Sequence, residues 1–370
     1  MPTKKSAPRV TPPPPPPEAL TASPSRDRKD AHLAIAAGGE AAFQQTTTLL
    51  EEVGLVHQAL PERALDEISL RTPLLGKTLE APLLIGAMTG GTPEAGEINR
   101  ALAEVAAETG VGLCLGSQRP MLDDPALAST YQVREVAPEI LLLANLGAMQ
   151  AAELPPERVE ELIAGVGADA IMIHLNPAQE LMQPEGDRDF RGALAGIQRL
   201  AHSLPVPVVV KETGCGLSAE TGEALLRAGV TLVEVAGAGG TSWPRVEAAR
   251  APGRAGLLSS LGEWGIPTAA SLVLQPEGLA CIAGGGLRDA LDLARALALG
   301  AVAGSFAQPA LRHLREGGPA ALSRWIAEMK EALAGLCLLT GCGQVQDLAR
   351  APRILGPRLH AWQQLRARPR

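Results

Sequence analysis

Apolar residues in this chain gather into eight short runs, and the stretches between them show helical spacing. The runs are PLLIGAM from Pro82, VGLCLGS from Val111, EILLLANLG from Glu139, AIMIHLN from Ala170, VPVVVKET from Val206, TLVEVAG from Thr231, LACIAGGG from Leu279 and AVAGS from Ala301. A run without polar alternation marks a strand buried on both faces, the pattern of a parallel sheet covered by helices. Between the runs lie EINRALAEVAAETG, PERVEELIAGVG, FRGALAGIQRLAHSL, AETGEALLRAGV and LRDALDLARALALG. Several of these end at glycine just before the next run, the usual helix stop.

Eight such strands with crossover helices predict an α/β fold closed into a (β/α)₈ TIM barrel with an N-terminal extension. A doubly wound sheet would open with G-x-G-x-x-G after its first strand; here that strand ends in AMTGGT. Two connections are long, about 175–195 after strand 4 and about 238–278 after strand 6. Long loops following barrel strands are where a site is expected.

Composition adds boundaries. Residues 1–25, with prolines from Pro12 to Pro17, form a leader that cannot bury a core and reads as disordered, partly polyproline II. Residues 26–370 are expected to form the barrel domain. Aromatics are 2% of the chain, so the core rests on Ala, Leu, Val and Gly. A net charge of −7 with interspersed signs argues against nucleic acid. The apolar runs are strand-length, so no membrane span is expected. Five cysteines without metal spacing fit free thiols in a reducing cytoplasm.

Candidate chemistry collects at the strand ends. Between Lys77 and Lys330 the chain has sixteen arginines and a single lysine, Lys211, at the end of PVVVKETG. The C-terminal end of a barrel strand is where chemistry is done, and an ammonium, unlike a guanidinium, can be tuned by burial. Strand 7 ends in Gly284-Gly285-Gly286-Leu287-Arg288 and strand 8 in Gly304-Ser305, the two positions where barrels commonly hold phosphate. Met88, Thr89, Ser117, Gln118, Arg119, Asn145 and Thr241 stand at or just beyond other strand ends. Such a set suits a phosphorylated planar cofactor, and flavin mononucleotide (FMN) fits, with Lys211 near the edge that becomes anionic on reduction. The loop after strand 4 gathers His174, Asn176, Gln179 and Glu180, the last a plausible oxygen ligand for Mg²⁺. Arg28, Lys29 and His32 follow the leader; in isolation they read as a solvated charge cluster.

Together these motifs resemble the type 2, FMN-dependent isopentenyl-diphosphate delta-isomerases. The matching pieces are RKDAHL, IGAMTGGTPEAGEINRALA, GSQR, ANLGA, HLNPAQELMQPEGDRDF, VVVKETGCGLS, VAGAGGTSW, GIPTAASL, AGGGLRDALDLARALALGA and LTGCGQVQDL, in order from about residue 26 onward. The resemblance implies interconversion of isopentenyl and dimethylallyl diphosphate, with reduced FMN as acid–base catalyst, Mg²⁺, and NADPH or NADH as reductant. It implies FMN contacts at Ala87, Met88, Thr89, Ser117, Asn145, Lys211, Thr241, Gly285, Gly286, Arg288, Gly304 and Ser305. It places the substrate against Arg28, Lys29, His32, Arg119, His174, Asn176 and Gln179. Gln179 would lie beside the reacting carbons, with Lys211 the second catalytic residue and Glu180 the metal ligand. A homo-oligomer, a tetramer or larger, is also implied. The chain departs from the pattern at Glu234, where aspartate is expected, and strand 8 is one residue short before its phosphate-contacting glycine.

Two other readings remain. Another FMN barrel oxidoreductase, of the 2-hydroxy-acid dehydrogenase type, needs a general-base histidine, typically after strand 6; no histidine stands between His202 and His313. A non-catalytic flavin- or isoprenoid-binding regulator would not need Gln179 and Glu180 together.

Overall fold

The computed structural model describes residues 31, 32, 35, 38–250 and 253–366. The leader, Arg28 and Lys29 lie outside the described residues. Eight parallel strands close into a barrel: β1 Leu83–Ile85, β2 Gly112–Cys114, β3 Leu142–Gly147, β4 Ala170–Leu175, β5 Val208–Glu212, β6 Leu232–Glu234, β7 Ala280–Ala283 and β8 Ala301–Phe306. Closure is made by β8 pairing with β1, Gly304 opposite Leu83 and Phe306 opposite Ile85. All eight apolar runs are strands. Several strands are shorter than their runs, while the polar residues near the mouth, Asn145, His174, Lys211, Glu234 and Ser305, stay within them.

Six principal helices cover the barrel: α1 Pro93–Thr109, α2 Pro156–Val166, α3 Ala193–Ser203, α4 Ala219–Arg227, α5 Ala290–Ala298 and α6 Gln308–Leu339. Thr92 caps α1 by accepting the Ala95 N–H, and Gly110 ends it at φ 65°, a left-handed turn that glycine adopts without strain. Helix α2 buries Val159, Leu162, Ile163 and Val166, a 3–4 spacing that aims one stripe at the sheet. Helix α6 breaks at Gly317 and Gly318 before Pro319 resumes it. Between β2 and β3 the chain makes only a short helix, Arg119–Asp123, and a 3₁₀ segment, Pro125–Thr130.

The barrel is filled, not hollow. Leu84, Cys114, Leu143, Met172, Val209, Leu232, Ile282 and Ala303 point inward from successive strands and form one buried cluster. Leu74 and Leu79 join it from a hairpin, Thr72–Leu74 with Lys77–Leu79, that stoppers the N-terminal end. A larger shell of apolar residues lies between strands and helices. No helix among the described residues is long and apolar enough to cross a membrane.

Candidate active site

Side chains alternate along a strand, so the residue two beyond each inward core position also points inward, one layer closer to the mouth. That step leads from Leu84 to Gly86, Cys114 to Gly116, Leu143 to Asn145, Met172 to His174, Val209 to Lys211, Leu232 to Glu234, Ile282 to Gly284 and Ala303 to Ser305. The upper layer is therefore five polar side chains and three glycines, resting on an apolar floor. It opens into a cavity of about 930 Å³.

Lys211 is 7% exposed. Its Nζ donates to the Glu212 carbonyl and lies 3.9 Å from Glu234 Oε1 on the adjacent strand. The Glu212 carboxylate turns away, accepting N–H groups from Thr213, Gly214 and Cys215. Burial pushes Glu212 up to about 7, against those three N–H groups and the Lys211 charge. Burial first, and then Glu234, push the Cys114 thiol far up, so the floor beneath the ammonium stays neutral. His174 Nδ1 lies 2.8 Å from Asn145 Oδ1, an acceptor, which puts a proton on Nδ1.

At the β7 end, Gly285 and Gly286 have φ of 88° and 77°. Thr268 Oγ1 donates to the Gly284 and Gly285 carbonyls. Neither the Gly285 nor the Gly286 N–H meets a protein acceptor among the described residues. Two open N–H groups beside Arg288, Ser305 and the start of α6 make an anion seat. Glycine is also required for packing: a Cβ on Gly286 would fall 2.5 Å from Thr48 Cγ2, and one on Gly285 2.1 Å from the Gly237 carbonyl oxygen.

The loop after β4 forms the opposite wall. Asn176 Nδ2 donates to Glu180 Oε1 at 2.8 Å and to Gln179 Oε1 at 3.3 Å. Gln179 Nε2 donates to Glu247 Oε1 at 2.8 Å, and Gln183 Nε2 does so at 2.7 Å. His32 Nε2 is 2.9 Å from the same oxygen, and Arg250 Nε is 2.9 Å from Glu247 Oε2. Burial alone would raise Glu247; the nearby His32 and the Gln179 and Arg250 donors outweigh it and hold the carboxyl at about 2. Glu247, on the helix Trp243–Arg250, is the hub of this wall and was not among the residues singled out from sequence. Its one sequence signal is a place in the long loop after β6.

Of the residues expected at the site, Ala87, Met88, Ser117, Arg119, Asn145, His174, Asn176, Gln179, Glu180, Lys211, Thr241, Gly285, Gly286, Arg288 and Ser305 line the cavity, as does His32. Two do not. Thr89 is buried behind the lining, its Oγ1 without a hydrogen-bond partner among the described residues. Gly304 faces the helix layer: its N–H is spent on the Pro82 carbonyl, and a Cβ there would meet Leu293 Cδ1 at 2.6 Å. With Ala303 pointing inward, strand parity turns Gly304 outward. Gln118 also has a structural task, tying the loop to β3 through the Asn145 backbone and to α2 through the Leu162 carbonyl.

The donor set fits a flavin nucleotide: open N–H groups for a phosphate, a buried ammonium for an anionic ring edge, and Met88 for an apolar face. The family model for FMN-dependent dehydrogenases matches residues 149–354. Isopentenyl-diphosphate delta-isomerase from Methanosarcina mazei is 42% identical over 334 residues, 89% of this chain and 91% of that protein. The same-named proteins of Halobacterium salinarum and Synechococcus sp. are 43% and 45% identical, each over 90% of this chain and over 94% and 97% of theirs. The chain belongs to the isopentenyl-diphosphate delta-isomerase family. Among solved structures, mandelate oxidase with benzoyl-formic acid superimposes with a TM-score of 0.60 at 18% identity, covering 89% of this chain and 98% of that one. A mandelate oxidase variant with the monooxide FMN adduct gives a TM-score of 0.61 at 18% identity, covering 89% and 100%. At that identity the likeness shows the barrel alone. Family membership agrees with the wall built on Gln179 and Glu247, which no histidine from the loop after β6 enters.

Proposed function

We propose that the chain interconverts isopentenyl and dimethylallyl diphosphate by a redox-neutral 1,3 proton shift, with FMN held at the barrel mouth. The observation that carries this is the two-ended cavity: an anion seat at β7 and β8, and facing it a neutral amide clamped by a buried carboxylate. Reduced FMN, when bound, supplies the acid–base chemistry that adds a proton at C4 of the alkene and removes one at C2. Gly285, Gly286, Arg288 and Ser305 would hold its phosphate, and Lys211, Asn145, Ser117, Thr241, Ala87 and Met88 its ring and ribityl chain.

The chain's own task is to hold the substrate and to leave the developing tertiary cation untrapped. Gln179 suits this because its amide is neutral and weakly nucleophilic. Glu247 stands behind it with its oxygens hydrogen-bonded by Gln179, Gln183 and Arg250 and with His32 close by, so its charge would stabilise from behind the amide rather than attack. Asn176 and Glu247 grip the two ends of the Gln179 amide and fix its orientation. Arg119 and His174 would bind the diphosphate. Arg28 and Lys29 would join them, since His32, a few residues on, already sits in the cavity wall.

No three His, Cys, Asp or Glu side chains among the described residues cluster as a metal centre. Glu180 alone suits Mg²⁺, which keeps water and substrate phosphate as most of its ligands. NADPH or NADH is the proposed reductant, and a cytoplasmic homo-oligomer the proposed setting. The test is an anaerobic incubation of FMN-loaded protein with reductant, Mg²⁺ and isopentenyl diphosphate. Dimethylallyl diphosphate is expected; its absence, with the flavin bound and reduced, would refute the reading.

A further inference from the structure

The upper layer of the barrel holds a carboxylate that the chemistry above leaves without a task. Glu234 is 4% exposed and lines the cavity. Its Oε1 lies 3.9 Å from Lys211 Nζ, and its Oε2 is buried with no hydrogen-bond partner among the described residues. Burying an ionised carboxylate is costly, and a long ion pair with one unfilled oxygen offsets little of that cost. The surrounding backbone nevertheless makes room for it. Lys211 and Glu234 are register partners on β5 and β6. On β7 the neighbouring inward position is Gly284, where a Cβ would fall 2.4 Å from Glu234 Oε1. The other carboxylate near Lys211, that of Glu212, is occupied by three backbone N–H groups. Glu234 is thus the acid that faces the ammonium from within the layer.

We propose that Glu234 is a positioning residue for Lys211, whose carboxylate offsets part of the ammonium's field at the cofactor seat and holds the bound flavin's reduction potential below the value Lys211 alone would set. The proposal rests on the FMN reading of the cavity. An unopposed ammonium would favour the anionic reduced flavin strongly and make it a weak base. A flavin that must take up and release protons needs to stay basic, and a buried counter-charge beside the lysine keeps it so. The same carboxylate also holds Nζ between itself and the Glu212 carbonyl, which limits where the ammonium can point.

The experiment is a potentiometric titration of FMN-loaded wild-type, Glu234→Gln and Glu234→Asp proteins. The Gln variant keeps the shape and removes the charge, so its midpoint potential should rise by about 30 mV or more, a tenfold or greater preference for reduced over oxidised FMN. The Asp variant keeps the charge and should stay near wild type. A side chain that only filled space would leave the Gln variant unmoved. An unchanged or lowered potential in a flavin-loaded Gln variant overturns the proposal and leaves the FMN reading intact. Failure of wild-type protein to take up FMN at all overturns both. If the Gln variant does not accumulate folded, Glu234→Ala is held to the same upward shift.

Discussion

The Gln179 side chain donates through Nε2 to Glu247 Oε1 at 2.8 Å, joining the loop after β4 to the helix Trp243–Arg250 across the mouth of the barrel. The bond fixes which end of a neutral amide faces the cavity. It also places a permanent negative charge just behind the wall, because Glu247 titrates near 2.

Replacing Gln179 with alanine should abolish most isomerisation, by about 100-fold or more in kcat, while the flavin stays bound. Among the described residues Gln179 hydrogen-bonds Asn176 and Glu247 and not Lys211 or the β7 turn, so the visible spectrum should keep its FMN band. Near wild-type turnover in steady-state assays would show that this loop does not face the reacting carbons.

Glu247→Gln removes the charge on which four side chains converge. Hydrogen bonds to a charged group are worth about 1.5–3 kcal/mol each where buried, and Arg250 keeps Glu185 as a second partner at 2.8 Å. Chemical denaturation should show a loss of about 2–3 kcal/mol. kcat should fall at least tenfold with a smaller change in KM, because Gln179 loses its orientation but the diphosphate groups remain.

Gly286→Ala tests the anion seat. Its φ of 77° lies in the left-handed region, which costs an L-residue about 1–2 kcal/mol. The new methyl would also press on Thr48 and the Gly239 backbone. The turn should shift and FMN retention should drop at least tenfold, read as bound flavin per protein after gel filtration. Gly304→Ala, directed at the helix layer beside Leu293, should lower stability while sparing the flavin-to-protein ratio more than Gly286→Ala does.

The segment that crosses the mouth has its own pH signature. Gln44, Gln45 and Thr46 donate backbone N–H groups to the Glu263 carboxylate at 3.0, 2.9 and 2.8 Å, and Arg245 pairs with it at 2.7 Å. Burial would raise Glu263, but these donors prevail and hold it at about 2. Its folded pKa is therefore depressed. The stabilisation is complete above the usual glutamate value of about 4.3 and is lost as pH falls from there through about 2. Wild-type melting temperature should decline over that window, and Glu263→Gln should flatten that part of the curve. Identical slopes would remove Glu263 from the account.

Sequence carried the barrel because strand runs buried on both faces have no polar alternation to confuse them, and because glycines such as Gly110 and Gly167 stop helices where the pattern says they should. The polar upper layer was legible for the same reason: Asn145, His174, Lys211 and Ser305 end apolar runs. Gly304 was misplaced because a glycine beside a serine looks like a phosphate loop; parity from Ala303 turns it toward α5. Glu247 was not singled out because it stands in a long loop with no local pattern marking it, and only the folded loops bring Gln179, Gln183 and His32 onto it. The Glu263 clamp joins residues more than two hundred positions apart, a pairing that no local pattern encodes.

A 1,3 proton shift carries no net oxidation. Its most direct measurement counts product against reducing equivalents. FMN-loaded protein is reduced once anaerobically, freed of excess reductant, and given a large excess of isopentenyl diphosphate with Mg²⁺. Many molecules of dimethylallyl diphosphate per reduced flavin are expected, with the flavin still reduced at the end. Product capped at one per flavin, or flavin oxidised in step with substrate loss, would contradict a redox-neutral shift.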